Sequence, residues 1–538
     1  MQAYLLSLLL IIPLAGALVT LAMPSTFRQF RTIALVASLL QLIILLLVFT
    51  HYSTQQNGLQ LIELKPWITL DMGAWGILKA NYFLAVDGLS LPLVALSVIV
   101  VLIAVISSWK IEKSPKGYFA LLLILNAAVI GTFCAQDFLL FYLFFEFMLL
   151  PMFFLIGIWG GLKREYASIK FFLYTLLGSI FILIVMIALY LSTQSIGDGQ
   201  LIVHSFSLVD MQDVNNIISN SILDPQRNVS ILGMSARTWA FILLFIGFGI
   251  KLPMIPLHTW LPDAHVEAPT PISVLLAALL LKIGGYGLLR ITYPIFPDIA
   301  LELSWLVALF GVVSIIYGGL AAMASKDLKR LIAYSSVSHM GFVLLGVASV
   351  TPEGSAGAIY QMVSHGIISA MLFLLVGVLY DRTHDRMIGN YSGLSSKMPM
   401  YFTFTLIAFF ASLGLPGLSG FMAELMVFLG AFKSGSTNHL LHESFAIVAT
   451  FGLVLGAIYY LWTLQRMFFG KFYVKPGISN DLADVDLREK IMLIPLLIIT
   501  IMLGIFPQLL LDYINPFADA FSTSILESGK IVKALFQP

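Results

Sequence analysis

Charge is scarce in this chain. Of its 538 residues only 11% are Asp, Glu, Lys or Arg and 59% are hydrophobic, against about 25% charged in an ordinary soluble domain. Too few charges remain to cover a water-facing surface, so an integral membrane protein is expected. Cysteine is nearly missing. The single one, Cys134, excludes an intrachain disulfide and a cysteine-ligated iron–sulfur centre or CxxC zinc site within the chain. No Walker-type loop, GxGxxG or HExxH occurs. The net charge of +1 gives no reason to expect nucleic acid as a partner. Hard chemistry, where linked to this chain, belongs in another polypeptide.

What is present is long apolar runs. A membrane span needs about 20 such residues to cross a hydrocarbon core about 30 Å thick. The expectation is an all-α polytopic membrane protein with about fourteen spans, at 4–22, 31–50, 83–107, 117–136, 138–160, 168–191, 238–264, 268–292, 299–323, 331–350, 356–380, 401–433, 445–469 and 490–512. The run from Leu5 lacks a basic leader and a small-residue cleavage site, so it reads as a first span. Segments 51–82 and 192–237 are polar and read as solvated loops, and the tail from 513 is mildly amphipathic. Nineteen Lys and Arg residues, among them Arg28, Lys113, Arg330 and Arg466, follow odd-numbered spans. Six follow even-numbered ones: Lys65, Lys79, Arg227, Arg237, Arg290 and Lys433. The positive-inside bias then puts odd loops in the cytoplasm and both termini outside.

Two spans carry helix breakers. The seventh contains "KLPMIPLHTWLP" and the twelfth contains "LGLPGLSG". Proline removes a backbone donor and glycine weakens a helix, so both are expected to be broken. They lie five spans apart and therefore run in opposite directions. Broken helices at matching places in oppositely oriented halves point to an inverted repeat with a site at its centre. The expected organisation is N-terminal spans in 1–110, a first repeat of five helices in 117–292, a second in 299–470, and a last span with external tail in 490–538.

Titratable residues inside spans are costly and usually have a role. Six stand out: Glu146, Lys251, Lys282, His339, His365 and Glu424. Glu146 with Lys251 reads equally as a structural ion pair. Lys282 is left without an evident carboxylate, with Ala278, Gly285 and Tyr286 one turn away. Ser335, Ser338 and His339 share a helix face, and His365 has Ser369 one turn on, so each histidine lies in a polar stripe that suits a water-lined path. Burial disfavours the charged form of any such group, which brings lysines and carboxylates toward exchange at neutral pH. The set reads as a chain for proton transfer, with Lys251 placed where the break admits water and carbonyl oxygens. His258, Asp263, His265 and Glu267 could hold a metal by spacing, but a proton intake or a packed loop cap suits their prolines better.

The stretches "KLPMIPLHTWLPDAHVEAPTPISVLLAALLLKIGGYGLLR", "SKDLKRLIAYSSVSHMGFVLLG", "MVSHGIISAMLFLLVGVLYDR" and "LPGLSGFMAELMVF" resemble the antiporter-like membrane subunits of respiratory complex I. The resemblance spans about residues 83–470. Glu424 matches the branch with glutamate at that position, where sister branches and Mrp-type antiporters have lysine. It implies proton translocation by Glu146, Lys251, Lys282, His339, His365 and Glu424. It also implies a multi-pass place in a bacterial inner membrane beside neighbouring antiporter-like subunits, with FMN, iron–sulfur clusters and quinone in partner subunits. The alternatives are an Mrp-type sodium/proton antiporter subunit, a membrane subunit of a related hydrogenase, or a scaffold that moves no ion. If Lys282 must release its proton, Lys282→Arg should abolish most proton transfer although charge is kept, because arginine stays protonated in proteins. Proton uptake by vesicles holding the assembled complex is the check, and unchanged uptake would mean that a fixed cation suffices.

Overall fold

The computed structural model describes residues 4–24, 29–71, 77–195, 203–227, 229–478 and 482–535. Arg28, one of the loop charges counted above, lies outside them. The chain begins with α1 (Leu5–Ala22) and α2 (Phe30–His51), then strands β1 (Gln60–Asp71) and β2 (Ile77–Val86). Next come α3 (Ser90–Ser107), α4 (Pro115–Cys134), α5 (Phe138–Phe147), α6 (Leu149–Trp159) and α7 (Arg164–Ser192). Strand β3 (Val203–Ser205) and α8 (Leu208–Gln212) precede α9 (Ala236–Lys251) and α10 (Trp260–Glu267). One continuous rod then holds α11 (Thr270–Leu275), α12 (Leu281–Gly287) and α13 (Tyr293–Ile295), joined by π-helical turns Leu276–Leu280 and Leu288–Thr292. It is followed by α14 (Pro297–Met323), α15 (Leu328–Ala348), α16 (Pro352–Thr383), α17 (Pro399–Ser412), α18 (Ser419–Lys433) and α19 (Ser444–Phe468). The chain closes with α20 (Leu487–Ile505) and α21 (Gln508–Leu535).

Among the described residues eleven helices are long and apolar enough to cross a membrane, or twelve if the bent pair α20–α21 counts as one span. The chain is a mostly helical polytopic membrane protein. The expectation of an all-α chain fails at one end. β1 and β2 pair antiparallel, β3 joins β2 in parallel, and the three form a sheet where loops were expected in 51–82 and 192–237. Residues 83–86, assigned above to the third span, belong to β2. The cause is the apolar run "YFLAV", which merges with the following helix in any hydropathy reading.

Proline explains two further features. The fifth span holds as one, Phe138–Trp159, with a single turn residue, Met148, between α5 and α6. Pro151 clashes with the carbonyl four residues earlier, that of Phe147, where α5 stops. Pro507 separates α20 from α21, and the axes bend by 67°. The tail is thus a 28-residue helix.

Burial sorts the helices into an inner and an outer set. The apolar windows of the Thr270–Ile295 rod and of α16 are wholly buried, whereas α2 and α19 bury only about a third of theirs. Leu18, Leu46, Leu173 and Phe451 face outward, as apolar residues should against lipid or a neighbouring subunit. Close approach is permitted by glycine pairs: Gly178 meets Gly247 between α7 and α9, and Gly311 meets Gly341 between α14 and α15. Helix starts are set by acidic caps. Asp137 accepts the Leu139 and Leu140 amides at 3.1 Å, and Asp327 accepts those of Lys329 and Arg330 at 2.8 and 3.1 Å.

Three buried ion pairs pin span ends: Arg237 with Asp298, Arg382 with Glu489, and Arg290 with Asp87. In the last, one guanidinium nitrogen lies 2.6 Å from both carboxylate oxygens. Breaking a buried pair from one side costs about 3–5 kcal/mol because the other charge is left unpaired. Asp87→Asn should therefore lower the thermal unfolding midpoint of the detergent-solubilised protein by several degrees, and adding Arg290→Gln should restore most of it. A single variant melting with the wild type would show that the pair supports nothing.

Candidate functional site

The site is built by the inner rod, α15, α16 and the break between α17 and α18. Lys282 sits in α12 between the two π-helical turns and is wholly buried. The wider turn before it leaves carbonyls out of register, and the ammonium Nζ donates to the Ala277 carbonyl at 2.5 Å. Nζ also lies 2.7 Å from His365 Nδ1 on α16. The partner missing from sequence is thus an imidazole. With lysine donating, Nδ1 is the lone-pair nitrogen; with a neutral amine the bond reverses and no heavy atom moves.

From His365 the line continues. Its ring centroid is 5.3 Å from that of His339 on α15. His339 Nε2 donates to the Ser412 carbonyl at 3.0 Å and lies 4.0 Å from Glu424 Oε1. His339, His365 and Glu424 line a small cavity with Gln361, Ser364, Ser412 and Gly420, and its space of about 10 Å³ for the centre of a water suits about one molecule. The broken helix supplies this cavity. Ser412 ends α17, and Ser419 begins α18 with its hydroxyl accepting from Ser364 at 2.8 Å. Gly414 turns the chain at φ +76°, and a Cβ there would overlap the Glu424 carboxylate. Glu424 does not pair with Lys433, the nearest basic residue after it on α18. Lys433 binds Glu353 at the rim.

The other two expected residues are placed differently. Lys251 ends α9 and is buried, but its Nζ has no hydrogen-bond partner. It lies 4.5 Å over the Phe145 ring. Glu146 is only partly buried, beside the outward Phe147, and its Oε1 is unpartnered. The ion pair considered from sequence is therefore corrected: among the described residues no salt bridge joins Glu146 to Lys251. The Phe145 ring lies against the ammonium instead, and Phe141 and Phe145 both pack on Phe248 of α9. The broken carbonyl of Ile250 is satisfied by Trp260 Nε1 at 2.9 Å, and the Ile255 amide by Ser314 Oγ at 3.1 Å.

Among the described residues, His258, Asp263, His265 and Glu267 do not gather as a metal site. Asp263 pairs with Lys170 at 2.7 Å and Glu267 accepts the Lys163 amide at 2.9 Å. His258 packs on Tyr317, and His265 stacks on Phe373 with both ring nitrogens unpartnered. Glu267 and Lys329 line a cavity of about 610 Å³ at the same end of the bundle. The polar stripes also divide. Ser335 meets Tyr460, but Ser338 bonds the Ile315 carbonyl across to α14, and Ser369 bonds back to Gly366. Sequence reading missed buried Lys329, Gln361, Ser412 and Tyr460. A tyrosine in "AIYYLW" carries no local signal that separates a site hydroxyl from packing.

The fold and site define a class: a polytopic helical membrane protein with two broken helices and a buried line of titratable side chains. A family model described as NADH:quinone oxidoreductase/Mrp antiporter, transmembrane, matches residues 135–450. NADH-quinone oxidoreductase subunit M of Rhodobacter capsulatus is 40% identical over 523 residues, 95% of each chain. NAD(P)H-quinone oxidoreductase chain 4 of Synechococcus elongatus is 40% identical over 531 residues, 98% of this chain and 93% of that one. Among solved structures, a chain of respiratory complex I from Thermus thermophilus with bound NADH matches with TM-score 0.79 and 28% identity, over 98% of this chain and all of the other. A chain of the Mrp complex from Dietzia matches equally in TM-score, 0.79, over 100% and 99% of the two, but at 21% identity it attests the fold alone. The chain belongs to the NADH:quinone oxidoreductase/Mrp antiporter membrane family, in its subunit M and chain 4 branch.

The contact between Gly414 and the Glu424 carboxylate has a direct consequence. Gly414→Ala adds a methyl group where the carboxylate sits, at a φ that alanine rarely adopts. It should displace Glu424 and reduce proton translocation as strongly as loss of the carboxylate, with helix content by circular dichroism near wild type. Full translocation would show that the carboxylate's position is not critical.

Proposed function

We propose that this chain is a proton-translocating membrane subunit of an NADH-quinone oxidoreductase, driven by quinone reduction in partner subunits. The observation that carries this is the line Lys282, His365, His339, Glu424, with separations of 2.7, 5.3 and 4.0 Å in a buried helical core. A proton passing along it changes the charge of each group in turn. Lys251 and Glu146 stand at the other end of the route, and movement of α5 or a neighbouring subunit would bring the carboxylate to the ammonium.

The inverted repeat is part of this reading. Counting α9–α10 and α17–α18 as broken spans brings the total to the fourteen expected from sequence. In the first half α5 starts at Asp137, which caps the helix and bridges Ser207. In the second, α15 starts at Asp327, which caps its helix and bridges Met387. The same device at matching places supports two halves of common plan, helices four to eight and nine to thirteen, with three helices before them and one after. The membrane is the bacterial inner membrane, with both termini outside. The partners are neighbouring antiporter-like subunits and lipid. FMN, iron–sulfur clusters and quinone belong to other subunits. The cavity by Glu267 and Lys329 is the intake on the cytoplasmic side. The likeness to the Mrp complex keeps sodium/proton exchange as a second reading, and a related hydrogenase membrane subunit as a third; a sodium site needs several oxygen ligands, and the line above offers one carboxylate.

Glu424→Gln keeps size and hydrogen bonding but cannot titrate. It should abolish most proton uptake per NADH oxidised in vesicles while the complex assembles on native gels, and Glu424→Asp should retain part. Wild-type uptake in the assembled Gln variant would remove Glu424 from the route, and sodium-dependent uptake would favour the Mrp reading.

A further inference from the structure

Hydroxyl groups from three helices close a ring around the broken end of α17. Ser412 is its last residue. A carbonyl at a helix end has no intrahelical donor, and here His339 Nε2 supplies one at 3.0 Å. The Ser412 hydroxyl lies 2.6 Å from the Tyr460 hydroxyl of α19. Tyr460 donates in turn to Ser335 Oγ at 3.0 Å, and Ser335 donates to the Ile332 carbonyl at 2.8 Å. Tyr460 has one proton and gives it to Ser335, so Ser412 must donate to Tyr460. Donation therefore runs one way, from Ser412 through Tyr460 and Ser335 to a carbonyl that can only accept. Ser335 stands one turn before His339 on α15, so the ring ties the helix of the histidine to the carbonyl that the histidine bonds.

That carbonyl decides the imidazole's protonation pattern. A carbonyl cannot donate, so the proton sits on Nε2. His339 Nδ1 has no hydrogen-bond partner, so its lone pair is free. The N–H bond at His365 Nε2 breaks and its proton forms an N–H bond at His339 Nδ1, while His365 takes a replacement proton at Nδ1 from the Lys282 ammonium. The N–H bond at His339 Nε2 then breaks and that proton passes to the Glu424 carboxylate, whose Oε1 is 4.0 Å away. The His339 imidazole ends neutral and the carboxylate protonated, with His339 in its other tautomer. We propose that Tyr460 is a positioning residue for this transfer: through Ser412 it holds the His339 tautomer that accepts at Nδ1 and releases at Nε2. This rests on the proton route of the preceding section. The competing account is that Tyr460 only satisfies a buried hydroxyl and steadies the break.

Tyr460→Phe removes one oxygen and separates the two. The titratable groups around the ring are His365 on α16, Glu424 on α18, Tyr459 with its ring 4.5 Å from that of Tyr460, and Lys282 beyond His365. In the purified complex carrying this chain, Tyr460→Phe should lower protons taken up per NADH by about two-fold or more and shift the pH profile of that ratio, with assembly unchanged. Ser335→Ala, which cuts the far arm, should act in the same direction more weakly. A ratio and pH profile equal to wild type in either assembled variant, with only thermal stability lowered, would overturn the positioning role. Glu424→Gln measured alongside distinguishes the two levels. If it pumps normally, the route fails and the positioning role with it. If it is inactive while Tyr460→Phe pumps normally, only the positioning role fails.

Discussion

A lysine and a histidine, 83 positions apart in sequence, meet at 2.7 Å in the centre of the bundle, and the surrounding structure is arranged around that meeting. Both belong to the two most deeply buried helical segments. Among the described residues neither has a carboxylate as first partner. An ammonium in such a place needs oxygen or nitrogen acceptors from the protein itself, and the π-helical turn before Lys282 provides one by freeing the Ala277 carbonyl. The outer helices supply the apolar surroundings, and the ion pairs at the span ends hold the frame in register.

Backbone satisfaction in lipid is the second constraint, and it shapes the two breaks differently. At the first, Trp260 and Ser314 take up the freed groups, so the break is closed by side chains that do not titrate. At the second, His339 takes the freed carbonyl. The same need for a hydrogen bond is thus met by a tryptophan and a serine at one break and by a histidine at the other.

Much of the site was legible in sequence, and particular residues show why. All four members of the connected line were identified, because a charge or imidazole inside twenty apolar residues is conspicuous on energetic grounds alone. The breaks were legible because proline and glycine act locally. Pro151 acts as locally, but it leaves only a single turn residue at Met148, and the fifth span holds as the one run that its apolar residues suggested. The β1–β2 sheet was missed because Pro66 and the charges of β1 mimic a loop and the apolar end of β2 merges into α3.

Composition, proline and glycine positions and the inventory of buried titratable groups were determined by the sequence itself, since each depends on free energies of transfer and on backbone sterics within a few residues. Contacts were decided only by the tertiary structure. Whether Lys251 finds Glu146 or Phe145, whether Lys282 finds a carboxylate or His365, and whether Tyr460 reaches Ser412 depend on how each helix is rotated and how deep it sits. Those angles follow from packing summed over the whole bundle, and a turn of one residue, about 100° on a helix, exchanges one partner for another.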